Sequence, residues 1–190
     1  MQQNCRDKSD EELCAMALKQ NDYFACLVKR YESKLSAYLR RLFNLGKEDV
    51  EDILQESFIK AYLNLNDFDK DLKFSSWLYR ITHNQAISAW RKTKARGYSL
   101  SLEENEWLEL ASGLDLSEEF ARHQDKVVLT EALSRLPLKY REVLVLKFLE
   151  EKNYKEISDI LKKPEGTIGT LINRGKKFLK IELKNKYGTD

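Results

Sequence analysis

The chain has 190 residues, 42% of them apolar, with 33 Lys and Arg against 31 Asp and Glu and a net charge of +2. That length allows one ordinary domain or two small helical ones, and only two prolines and seven glycines leave long stretches without breakers, which favours helices over many short strands. No apolar run approaches a membrane-spanning length and Met1 to Asp10 lacks the basic-then-apolar layout of a signal peptide, so a soluble, cytoplasmic protein without membrane insertion is expected.

The charge is sorted into blocks. Net values are +2 over residues 1–46, −5 over 47–72, +6 over 73–98, −7 over 99–125 and +6 over 126–190. Charge needed only for solubility would be interspersed, so two basic blocks around an acidic spacer point to two places that meet a polyanion. Cys5, Cys14 and Cys26 are odd in number and have no CxxC or paired His to complete a zinc set. They are expected to be free thiols, and neither a metal site nor a cofactor is expected.

In chain order, Ser9-Asp10-Glu11-Glu12 has the form of a capping box, followed by Leu13, Ala17 and Leu18 at helical spacing. A second helix is predicted from about Asp22 to Phe43, with Phe24, Leu27, Val28, Tyr31, Leu35, Tyr38, Leu39 and Leu42 at steps of three and four and Gly46 ending it. In a third, Val50, Ile53, Leu54, Phe58, Ala61, Tyr62 and Leu65 form one stripe while Asp49, Asp52 and Glu56 share the opposite side. Asn66 to Lys73 reads as a loop. Phe74 to about Lys94 reads as a helix whose apolar stripe is interrupted by His83-Asn84-Gln85, either surface or site. Residues 97–125, rich in Ser and Glu, read as a linker with a short helix within it. Beyond Asp125 the helical pattern returns in short pieces: one ending at Pro137, a second over Tyr140 to Phe148, a third over Tyr154 to Leu161 and a longer basic one after Pro164. The last two make a helix-turn-helix. The fold class is therefore all-α, with two small helical domains at 10–97 and 126–186 joined by a flexible acidic linker at 98–125.

A recognition helix needs short polar groups near its N-terminal half and cations along its flanks. Thr167, Thr170, Asn173 and Arg174 are interleaved with the apolar stripe, and Lys176, Lys177 and Lys180 follow. Arg174 has the donors for a guanine, Asn173 the amide for an adenine, and the lysines suit phosphates. The other basic block differs: Arg80, Arg91, Lys92, Lys94 and Arg96 share it with Phe74, Trp77, Tyr79, Trp90 and Tyr98, and no carboxylate interrupts them. Cations for a backbone beside aromatics for stacking suit single-stranded or opened nucleic acid. The same aromatics, Trp77 above all, fit a packed core equally well.

Four segments carry a resemblance. Asp49-Val-Glu-Asp-Ile-Leu-Gln-Glu-Ser-Phe-Ile-Lys-Ala-Tyr62, Phe74-Ser-Ser-Trp-Leu-Tyr-Arg-Ile-Thr-His-Asn84, Leu133-Ser-Arg-Leu-Pro137, and Tyr154-Lys-Glu-Ile-Ser-Asp-Ile-Leu161 with Pro164-Glu-Gly-Thr-Ile168 closely resemble bacterial sigma factors. The likeness is to the extracytoplasmic-function group of the sigma-70 family, in the family order over nearly the whole chain. It implies that Asp49, Asp52, Gln55 and Glu56 dock on the β′ clamp helices of core RNA polymerase. Phe68 and Asn84 align with residues that help capture a base flipped from the −10 element, whose extrusion costs a few kcal/mol that stacking and an amide would offset; Phe68 as a loop-anchoring core residue is the competing reading. The second domain would hold duplex −35 promoter DNA, the apolar surface around Tyr140 to Phe148 would face the polymerase β flap, and the acidic linker would thread the polymerase channels or act as an inert tether. The resemblance also implies an anti-sigma partner and no catalytic residues.

The chain departs from the family pattern at Lys162-Lys163, where many relatives have Gly and an apolar residue, and at Gly169 and Leu171, where many have a basic residue. His83 before Asn84 is also unusual. Two rivals are a helix-turn-helix regulator whose residues 1–97 sense or oligomerise, and a metal-dependent nuclease using Asp49, Asp52 and Glu56. The second lacks a converging His or second carboxylate set.

Overall fold

The computed structural model describes residues 5, 7–43, 45–69, 71–94 and 126–187. Among them the regular structure is helical throughout. The acidic segment expected to be a linker, and Arg96 before it, lie outside the described residues.

In the N-terminal half, α1 (Asp10–Ala17) starts at the expected capping box: the Glu12 amide donates to Ser9 Oγ at 3.1 Å and the Ser9 amide to Glu12 Oε2 at 2.7 Å. α2 (Asp22–Phe43) buries the stripe from Phe24 to Phe43; its Leu27, Leu35, Leu39 and Leu42 are wholly out of water, a gain of roughly 1.5–3 kcal/mol each. α3 (Lys47–Leu63) buries Val50, Ile53, Leu54, Phe58 and Ala61. Tyr62, assigned to that stripe from spacing, lies at its edge, 38% exposed with its ring 5.2 Å from that of Phe24. A 3-10 turn (Leu65–Asp67) and a loop lead into α4 (Phe74–Lys94).

The cysteines are not all free thiols. Cys5 and Cys26 are joined in a disulfide, with Cα atoms 6.1 Å apart, and only Cys14 is a free thiol. Arg30 explains the proximity: it donates to the carbonyls of Cys5 at 2.8 Å and Lys8 at 3.0 Å and pairs with Asp10, folding the segment before α1 onto α2. No spacing rule reveals a pair brought together by a distant arginine. Burial, with Asp10 and Glu11 nearby, pushes the Cys14 thiol up to about 12.

The C-terminal half contains α5 (Lys126–Arg135), α6 (Leu138–Leu144) running on into a π turn (Val145–Leu149), α7 (Tyr154–Leu161) and α8 (Glu165–Tyr187). Asn153 and Glu156 form a second capping box at the start of α7, with both hydrogen bonds at 2.9 Å. α7 ends at Lys162 in the left-handed conformation (φ 54°), the geometry that favours glycine. Pro164 then admits α8, completing the helix-turn-helix. α8 lies so close to α6 that a Cβ on Gly175 would sit 3.2 Å from Leu144 and 3.3 Å from Tyr140 Cβ, and the Phe178 ring meets that of Tyr140 edge-on at 4.7 Å.

Arg141 of α6 is the polar anchor of this half. It donates to the carbonyls of Leu133 and Leu136, both at 2.9 Å, and to that of Ser134, satisfying the last carbonyls of α5. A further bond reaches Leu42 O at 2.8 Å, in the other half. Burial pulls the guanidinium down to about 10.

Candidate nucleic-acid interface

Because Val50, Ile53, Leu54 and Phe58 turn α3 inward, Asp49, Asp52, Gln55 and Glu56 all stand exposed on its outer side. α4 runs beside them. Gln85 donates to Glu56 Oε2 at 3.0 Å and accepts from Lys60 at 3.3 Å, and a groove of about 360 Å³ between the helices is lined by Asp49, Asp52, Glu56, Gln85 and Lys92. The acidic face and the cationic end of α4, two separate blocks in the sequence, thus share one surface.

Along α4 the aromatics go mostly inward. Phe74, Trp77 and Tyr79 are buried, and Trp90 is half-buried with its ring 6.0 Å from that of Phe43. Phe68 is buried too, its ring 5.7 Å from Phe74 and 5.3 Å from Trp77. The loop-anchoring reading therefore describes Phe68 here, and these rings are not a stacking platform. Composition cannot separate the two readings, because a core and a platform use the same residue types. The polar groups do reach solvent: Asn84, Arg91 and Lys92 are exposed and Arg80 half-buried. Lys94 closes the helix and Arg96 lies outside the described residues.

The polar row His83-Asn84-Gln85 divides its roles by helical rotation. Asn84 points to water and Gln85 bridges to α3, while His83 faces inward, 5% exposed. Its Nδ1 lies 2.8 Å from the Tyr38 hydroxyl and its Nε2 3.5 Å from Glu142 Oε2, whose other oxygen accepts from Lys163 at 2.9 Å. Burial, with the Lys163 charge nearby, lowers His83 from 6.5 to about 4, so it is neutral at pH 7. Burial raises the Glu142 carboxyl, and its bond to Lys163 opposes that rise. The departure at Lys163 thus has a role: it supplies the cation that Glu142 needs.

On α8, Ile168, Ile172, Gly175, Phe178 and Leu179 face the core, while Thr167, Thr170, Asn173, Arg174 and Lys177 are exposed. Thr170 Oγ1 donates back to Gly166 O at 3.0 Å. Lys176 is half-buried, its ammonium 5.2 Å from the Phe148 ring centre. The apolar surface expected around Tyr140 to Phe148 is not a surface: Tyr140, Val143 and Leu144 are buried on α6, which packs against α8, Val145 and Leu146 are buried in the π turn, which packs against α2 and α7, and Arg141, Lys147 and Phe148 remain partly open. α6 is the central helix of its half, and the same stripe that suggested a docking face forms its core.

Acidic and basic faces on α3 and α4, with a helix-turn-helix beyond, define a helical DNA-binding protein of two parts. Residues 27–96 match the model of Sigma-70 region 2 and residues 126–179 that of Sigma-70 region 4. The ECF RNA polymerase sigma factor SigW of Bacillus subtilis (strain 168) is 36% identical over 171 residues, covering 86% of this chain and 90% of that protein. In a structural comparison, CnrH, solved in complex with the cytosolic domain of CnrY, superposes with a TM-score of 0.69 at 25% identity, covering 94% of this chain and 99% of the other. RpoE of Bartonella quintana, solved with the anti-sigma factor NepR, shares the fold at TM-score 0.64 and 20% identity over 85% of this chain and 96% of the other. The chain belongs to the extracytoplasmic-function (ECF) group of RNA polymerase sigma factors, within the sigma-70 family.

Proposed function

We propose that the chain is an initiation factor without catalytic activity of its own, acting in the cytoplasm, that binds core RNA polymerase and directs it to promoters carrying particular −35 and −10 elements. Residues 10–97 would bind polymerase and the −10 element, 98–125 would connect, and 126–186 would hold −35 DNA. Asp49, Asp52, Gln55 and Glu56 meet the β′ clamp helices; Asn84 reads a flipped −10 base while Arg80, Arg91, Lys92, Lys94 and Arg96 follow the backbone. Thr167, Thr170, Asn173 and Arg174 face the −35 major groove, with Lys176 and Lys177 at phosphates. Phe68 keeps its place in the core. An anti-sigma protein holds the factor inactive, a reading supported by NepR on the related RpoE.

The observation that carries this reading is α8, whose exposed polar row sits above a fully packed stripe, on the second helix of a helix-turn-helix. Run-off transcription with purified core polymerase on a randomised promoter library tests it: enrichment of one spaced pair of elements is expected, and no promoter-dependent transcript would sink the proposal. In the same assay Asn84→Ala should relax preference at one −10 position and leave −35 binding intact. A uniform loss across −10 sequences would assign Asn84 to packing instead.

A further inference from the structure

The fold sorts the three cysteines of the N-terminal half. Cys14, on α1, is 4% exposed within the core and lies beyond the reach of soluble reagents. Cys5, ahead of α1, and Cys26, near the start of α2, both stand partly exposed at the edge of the core and are joined across a sequence separation of 21. Burial thus specifies the pairing: of the three possible bonds, this one alone joins two residues open to small thiols and disulfides in solution.

The bond encloses α1. Leu13, Cys14 and Ala17 bury that helix against α2 and α4. Arg30 holds the carbonyls of Cys5 and Lys8 and the Asp10 carboxylate, the Tyr31 hydroxyl donates to Asp10, and Glu11 Oε1 accepts from the Phe74 amide at 3.4 Å, at the first residue of α4. A helix this short holds its place by such contacts and not by its own propensity. Closing a loop of about 20 residues removes chain entropy from the lifted segment, which is equivalent to about 100-fold in the equilibrium between lifted and seated α1.

We propose that Cys5 and Cys26 form a reversible oxidation site, a dithiol that small-molecule disulfides close and small thiols reopen, and that its state sets how tightly α1 is held on α2 and on the start of α4. Inside a reducing compartment a disulfide serves as a switch rather than a permanent staple. One protein thiolate attacks a sulfur of the small disulfide and expels a thiolate; the second attacks the mixed disulfide so formed and expels the other. The two protein thiols give up two protons and two electrons, and the small disulfide becomes two thiols. The reducing setting, and the consequence for a −10-reading α4, rest on the function proposed above; the pairing does not.

Titration of the purified full chain in glutathione mixtures, from wholly reduced to wholly oxidised, tests the site with neither polymerase nor DNA present. Alkylation and mass spectrometry should find Cys5 and Cys26 free at the reduced end and joined at the oxidised end, with conversion half complete between them, while Cys14 labels only after denaturation. Amide exchange in α1 should be about 100-fold slower in the oxidised chain. Cys26→Ser should exchange at the reduced chain's rate in every mixture, and Cys14→Ala should leave the Cys5–Cys26 titration unchanged. A pair that stays closed in excess reduced glutathione, a pair that never closes in the oxidised form, or equal α1 exchange in the two states would overturn the proposal. Run-off transcription reports separately on the sigma reading, so a chain that titrates as expected and supports no promoter-dependent transcript would sink that reading and leave this site standing.

Discussion

α4 and α8 are both basic helices assigned to DNA, yet they occupy opposite situations. The middle of α4 is covered, with Tyr79 and His83 buried against Glu150 and Glu142. The reading face of α8 is open, with Thr167, Thr170, Asn173 and Arg174 exposed in the same structure. Positive charge along a helix therefore marks a nucleic-acid contact without saying which of its faces is free, and the uncovered helix is the one whose reading residues occupy a separate stripe from its packing residues.

The largest expected effect falls on neither helix but on Arg141, which ties α6 to the end of α5 and to Leu42 of α2. Arg141→Ala would strand the α5 carbonyls and the Leu42 carbonyl, and should lower stability by about 3–5 kcal/mol in chemical denaturation. Arg141→Lys should rescue little, since an ammonium cannot reproduce the fork. If the alanine variant is as stable as wild type, Arg141 is not the anchor of its half.

His83 sharpens the contrast next. An unfolded histidine titrates near 6.5 and this one near 4, so between those values the unfolded chain binds more protons and stability falls as pH drops. The loss should approach about 3 kcal/mol below pH 4. Glu142, raised by burial, contributes in the opposite sense, so the difference between wild type and His83→Gln in urea melts across that window isolates the histidine. Equal slopes in the two proteins would remove His83 from the account.

Arg174→Ala probes the open helix. It should weaken −35 duplex binding by about 1–3 kcal/mol and relax preference at one base pair, with stability changed by less than about 0.5 kcal/mol. Unchanged binding to every −35 variant would rule out base readout by that side chain. The smallest effect is a gain: Lys162→Gly relieves a left-handed non-glycine residue in the turn before α8 and should stabilise the fold by about 0.5–1 kcal/mol in thermal melts.

The helices were legible because their signals are local. The capping box at Ser9, the stripe of α2 and the Pro164 start of α8 each lie within a few residues, and the structure follows them. What escaped depends on contacts distant in sequence: the Cys5–Cys26 disulfide, beside which Arg30 gathers the chain, the burial of α6 and the ion pairs between the two halves. His83 shows in the sequence as an interruption in an apolar stripe. Its partners Tyr38, Glu142 and Lys163 come from three other parts of the chain, so no periodicity could name them.

The separation of roles on α8 has one more consequence. Ile168, Ile172, Gly175, Phe178 and Leu179 hold the helix in place, while the side chains that would face bases stand exposed on another stripe. Address and scaffold are written in different letters of the same helix. Mutational drift, or a designer, can rewrite Thr167, Thr170, Asn173 and Arg174 to redirect the factor to new promoters at almost no expense to folding.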